Sequence, residues 1–266
     1  MKRWDALFLA ASLPAAAADM VAISAGPLTM GSDDGPADER PAHGVTLTAF
    51  LVDRYPVTNS GYADFLNAAG THNAQGERLF DFDDADARVH RVGAKWAAHP
   101  GHEKHPVVEV TWTGARDYCA WAGKRLPTEA EWEKAARGGL EGARFAWGDA
   151  RPSRASFDRP PRVTDTPANP LGIAALSGVC HEWCLDWEDP GYYAVSPERN
   201  PVGPADGRRR VSRGGAWRHH DPWSPVAHRS SLPPALHYSD YGFRVVRGGA
   251  DHLDVPIRDE RGEAVS

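Results

Sequence analysis

Glycine and proline punctuate this chain too often for long regular elements to form. There are 26 glycines and 22 prolines in 266 residues, about 18% against a usual total of about 12%. Proline interrupts helix interiors and central strands, and glycine supplies turns that other residues resist. The excess predicts short helices and strands joined by extensive loops, and it excludes a helical bundle. Ten tryptophans against three methionines suit such a chain, because large aromatic side chains anchor irregular loops. A hydrophobic fraction of 41% with 25% charged residues is ordinary globular composition and argues against disorder over the whole length. The length allows one large domain or two small ones and a core that needs no disulfide staples. A net charge of −6 disfavours a general nucleic-acid binder.

The N-terminus reads Met1-Lys2-Arg3, then an apolar run from Ala6 to Leu13, then Pro14 and four alanines. A basic start, a short apolar stretch and an Ala-x-Ala site describe a secretory signal peptide over 1–18. Cleavage after Ala18 leaves Asp19 first and places the protein outside the cytoplasm, periplasmic or secreted. No stretch is long and apolar enough to span a membrane. Cys119, Cys180 and Cys184 are an odd set, so at most one internal disulfide can form. Cys180 and Cys184, four apart, would share one face of a helix, where they are poorly placed to bond to each other. The expectation is buried, inert thiols.

Strand patterns occur at 20–23 and at 45–52, around an acidic turn-rich loop from Met30 to Gly35. Thr58 or Asn59 can cap a helix to about Ala69, with Tyr62, Phe65, Leu66 and Ala69 on one face. Residues 70–106 show weak periodicity and many charges, as a long surface insertion would. A second helix is expected from near Thr113 to Gly123, with Tyr118, Cys119 and Ala122 inward. The clearest local signal follows at 124–139. Thr128 and Glu131 form a capping box, Gly138 ends the helix, and Trp132, Ala135 and Ala136 face inward. Strands return at 210–218 and 241–246, and a polar tail follows at 249–266.

Eight segments in register resemble the formylglycine-generating enzyme, or sulfatase-modifying factor, family. They are Met30-Gly31-Ser32, Tyr55-Pro56-Val57-Thr58-Asn59, Pro106 to Trp112, Arg125 to Gly139, Asn169-Pro170-Leu171-Gly172, Glu182 to Trp187, Arg213 to Trp217, and Gly242-Phe243-Arg244. The likeness covers about 20–247, giving one domain over 19–248. It implies a compact α+β fold, distantly like C-type lectins, with little regular secondary structure.

Founding members of that family oxidise a client sulfatase cysteine to formylglycine, with oxygen and a copper(I) ion held by two thiolates. Soft thiolates suit copper(I). Carried onto this sequence, the resemblance puts the first metal ligand at His219 and the second at Ser224, after the turn Gly214-Gly215-Ala216-Trp217. Ala216 stands where the family has its active-site serine. Copper(I) bis-thiolate chemistry is therefore not expected. His219, His220 and His228 are the candidate metal ligands, and His219, Ser224 and Trp217 the candidate catalytic residues. Imidazole with carboxylate suits iron, copper(II) or zinc. In an extended segment His219 and His220 face opposite ways, so only one enters the groove. His181 reads as a packing histidine beside Trp183. Glu182, Asp186 and Trp187 read as structural, and Arg229 and Arg244 as buried partners of carboxylates. Family members also bind calcium, but Val179 stands where an Asn is usual, leaving Ser156 and Asp158 as nearby oxygen donors.

Two functions fit. One is a diverged metal-dependent oxidase acting on an exported protein or peptide. The other is a non-catalytic module using the same groove to hold a peptide or protein partner. The segment Ala216–His228 discriminates them: a metal bound at His219 supports the first, and a groove filled by Trp223, Pro222 and Pro225 the second.

Overall fold

A computed structural model describes residues 19–150, 158–219 and 223–249. The expected leader, Ser156, His220, Pro222 and the tail from 250 lie outside the described residues. The described elements are short, as the glycine and proline content requires. They run β1 (Met20–Ile23), β2 (Gly26–Met30), β3 (His43–Leu47), β4 (Phe50–Asp53), α1 (Asn59–Ala69), β5 (Val89–Val92), β6 (Lys95–Ala98), α2 (Trp112–Trp121) and α3 (Glu129–Arg137). Then follow β7 (His181–Trp187), β8 (Arg210–Arg213), β9 (Arg229–Leu232), β10 (Tyr241–Phe243) and β11 (Val246–Arg247).

Each helix starts on a threonine. The Thr58, Thr111 and Thr128 side chains accept from the Gly61, Gly114 and Glu131 backbone N–H groups at 3.3, 3.0 and 3.2 Å. At α3 the box closes, because the Thr128 N–H donates to Glu131 Oε2 at 2.9 Å. Arg125 then holds that carboxylate through two nitrogens at 2.6 and 2.7 Å. Gly138 ends the helix in the left-handed region at φ 55°, which costs glycine little.

A four-stranded sheet has the order β10-β7-β8-β9, and a three-stranded sheet the order β1-β4-β11. β2–β3 and β5–β6 form two-stranded pairs. β10 runs parallel to β7, with Tyr241 opposite His181. β11 closes on β4, far back in sequence. One part of the core gathers Tyr62, Phe65, Phe80, Trp112, Trp183 and Phe243 around α1 and α2. Another packs Leu47, Phe50, Val52, Trp132 and Val246 between α3 and the sheets.

Several expectations need correction. The pattern at 45–52 is two strands: Val45 and Leu47 are buried, then Phe50 and Val52, so the alternation slips by one at 48–49, where the chain turns. Residues 70–106 are not merely a surface insertion. Leu79, Phe80, Ala87 and Val89 are buried in the core, and β5–β6 packs on α1. On α1, Ala63 is buried and Ala69 exposed. The Cys180–Cys184 segment enters a strand, not a helix, and the three cysteines are free and buried. β8 ends at Arg213, so His219 stands in a turn rather than on a strand.

Candidate functional site

The turn after β8 is shaped by two glycines. Gly214 and Gly215 have φ of 91° and 63°, and a Cβ at Gly215 would collide with the Ser224 side chain. Ser224 is thereby pressed over the turn. Its N–H donates to Ser177 Oγ at 2.9 Å, and that hydroxyl donates back to the Ser224 carbonyl at 3.0 Å. Ala216 is fully buried. The His219 N–H returns to the Ala216 carbonyl at 3.2 Å, which brings the His219 ring back over the sheet. Trp217 donates from Nε1 to the Ser239 carbonyl at 3.0 Å.

His219 faces His181. Their Nε2 atoms are 3.2 Å apart. His181 opens β7 and is 4% exposed. Its ring lies 4.8 Å from that of Tyr241, and its backbone N–H donates to the Asp240 carbonyl at 2.7 Å. The parallel β7–β10 pairing thus delivers Asp240 to the same place. One donor atom from each of His181, His219 and Asp240 lies within 4.8 Å of the others. Burial drives the His181 imidazole down to about 3, with the His219 and His228 charges adding to it. Burial also lowers His219, against the pull of Asp240, and raises Asp240, against Arg218 and His219. Both rings are neutral near pH 7, with lone pairs free to bind a cation.

The other predicted site residues lie apart from this cluster. His228 Nδ1 is 3.6 Å from Glu39 Oε1 and lines a groove of about 640 Å³ with Ser32, Asp33, Arg144 and Pro225. His237, outside those candidates, joins Glu109 at 3.0 Å and Asp81 at 3.3 Å. Trp223 is buried, 5.4 Å from Trp147 in an edge-to-face contact. Glu182 accepts from Trp132 Nε1 at 2.7 Å and from Arg244 at 2.9 and 3.0 Å, a structural role. Arg229 pairs with Glu129. Val179 is buried and offers a calcium ion no side-chain oxygen.

Copper(I) held by two thiolates does not fit this arrangement. Burial pushes all three thiols well above their ordinary pKa, and Cys180 Sγ packs against Gly242. Sequence reasoning missed Asp240 entirely and assigned His181 to packing. A strand pattern was visible beside Asp240, at 241–246, but the strand that His181 opens and its parallel pairing were not.

The comparisons with known proteins agree with the fold. The family described as sulfatase-modifying factor enzyme 1-like domain matches residues 9–248. The chain belongs to the sulfatase-modifying factor family. The match begins inside the segment read above as a leader. The formylglycine-generating enzyme of Streptomyces coelicolor is 37% identical over a 285-residue alignment that covers 88% of this chain and 90% of that one. The serine/threonine-protein kinase pkn1 of Chlamydia caviae is 40% identical over 238 residues. That alignment covers 86% of this chain, which spans only 38% of the kinase. Among solved structures, PvdO from Pseudomonas aeruginosa superposes with a TM-score of 0.67 at 26% identity, covering 86% of this chain and 93% of PvdO.

Proposed function

We propose that this family member is a diverged metal-dependent oxidase acting on an exported protein or peptide. The observation that carries the reading is the imidazole of His219. It occupies the position where the family resemblance puts the first metal ligand, and it faces a second neutral imidazole at 3.2 Å. The 37% identity to a formylglycine-generating enzyme, in an alignment covering 88% of the chain, supports retention of the family's scaffold. The replaced ligands support a change of chemistry within it. The N-terminal pattern supports export, and an intact mass starting at Asp19 in the native host is the expected result. A mass that retains Met1 or Lys2 would refute export.

The test is mass spectrometry of the host's exported proteins after incubation with oxygen and the metal-loaded protein. An oxidative mass change on a client, lost with His219→Ala, is expected. No change above the variant's background would remove the oxidase reading. A second reading, a binding module without chemistry, draws on the separate groove of about 640 Å³ beside Pro225 and His228, which could hold a peptide. Peptide retention that survives His219→Ala, without any oxidation, would favour it.

A further inference from the structure

We infer that His181, His219 and Asp240 together form one three-donor site for a divalent first-row cation, replacing the thiolate pair of the family. The inference rests on the oxidase reading and extends it to His181, read from the sequence as packing, and to Asp240, which the sequence did not reveal.

Three observations carry it. The first is spacing. Imidazole nitrogens each about 2.0–2.1 Å from a zinc-like ion stand about 2.8–3.4 Å apart, the lower end at octahedral and the upper at tetrahedral angles. The Nε2 atoms of His181 and His219 are 3.2 Å apart. The second is what else the buried ring touches. His181 is 4% exposed, and its Nδ1 has no partner. A packing histidine ordinarily satisfies both nitrogens, because a buried polar atom left alone costs free energy. The one polar partner of this ring is another imidazole: a proton on either Nε2 makes the 3.2 Å contact a hydrogen bond, whereas with protons on both Nδ1 atoms two Nε2 lone pairs face each other, an arrangement that a cation relieves.

The third is the third donor. Asp240 is fixed beside the rings by the backbone. Its carbonyl accepts the His181 N–H at 2.7 Å, and Ser239, just before it, holds Trp217 Nε1. The backbone thus sets the aspartate beside the rings, with a carboxylate oxygen within 4.8 Å of both imidazole donors. Two imidazoles and one carboxylate are the donor set of iron(II) sites that keep positions open for oxygen and substrate, and also suit zinc and cobalt. A copper(I) preference is lost with the thiolates.

The experiment is a cobalt(II) titration of metal-stripped full-length protein, followed by calorimetry and visible absorption, with no substrate present. One high-affinity cobalt per chain is expected. Asp240→Asn, His219→Ala and His181→Gln should each weaken it by about tenfold or more, with melting temperatures near that of the wild type. His228→Ala should bind as tightly as the wild type. Should His181→Gln fail to fold, Asp240→Asn carries the test alone. Loss with His219→Ala but wild-type binding by Asp240→Asn would overturn the three-donor site and leave the oxidase reading standing. No binding by the wild type would overturn the site. An oxidase test that fails while all three variants lose cobalt would sink the reading and keep the site.

Discussion

Two polar clusters meet at β8 and its following turn, and they are built on opposite plans. At Arg213 opposite charges are paired. Its two terminal nitrogens reach Glu129 Oε1 at 2.8 Å, the Tyr193 hydroxyl at 3.1 Å, Glu133 Oε2 and the Val226 carbonyl at 2.7 Å. Arg229 adds to Glu129, and Arg137 to Glu133. Burial would raise the Glu129 carboxyl, but the Arg229 and Arg213 charges hold it below its ordinary value. Six residues later, His219 and His181 have no such match: two neutral rings and a half-buried carboxylate face one another. A cluster of paired opposite charges fixes the fold. A cluster with donors to spare can take a guest.

Breaking the charged cluster should cost most. Glu129→Ala takes from Arg229 its carboxylate and leaves Arg213 only that of Glu133, and removing one partner of a buried pair costs about 3–5 kcal/mol. Chemical denaturation should show that loss, or no folded protein at all. A drop under about 1 kcal/mol would mean that the network is not a unit.

The next effect is set by pH. Burial pushes Glu109 up to about 7, opposed by the His237 hydrogen bond and reinforced by Asp84 and Asp81. The unfolded chain releases this proton near pH 4.5, and the folded chain holds it to about 7. Stability from this group is therefore complete below about 4.5 and lost as pH rises through 7, by up to about 3 kcal/mol. Glu109→Gln should flatten the melting-temperature profile between pH 4.5 and 7.5. An unchanged profile would place the titration elsewhere.

Thr128→Ala removes one half of the α3 capping box and should cost about 1 kcal/mol, read by urea denaturation. This part of the molecule was legible in the sequence, because a box needs only residues three apart. So were the helix starts and the pairing of Arg229 and Arg244 with carboxylates. The His181–Asp240 meeting was not legible. It depends on parallel strands about 60 residues apart, and no local pattern encodes that register. The burial of Leu79 and Phe80 was hidden similarly, since the charges around them mask two core residues.

The smallest expected effect sharpens the comparison. His219→Ala in metal-free protein should change stability by no more than about 0.5 kcal/mol, while Glu129→Ala unfolds or nearly unfolds the domain. A loss of about 2 kcal/mol or more at His219, measured by thermal melting in chelator, would make the histidine pair a structural cluster after all.

The pairing of β11 with β4 sets the order in which this domain can be completed. Leu51 and Val52 wait for Val246 and Arg247. Arg244 closes on the Asp53, Arg54 and Ala174 carbonyls at 2.8, 2.7 and 2.8 Å. The three-stranded sheet thus lacks its last strand until nearly the whole described chain has been synthesised. Such long-range closure slows folding, since loop entropy is spent before the contacts form. During synthesis the emerging chain carries an unfilled strand edge at β4, a surface that invites pairing with other chains, and a chain truncated before Val246 would keep that edge open permanently.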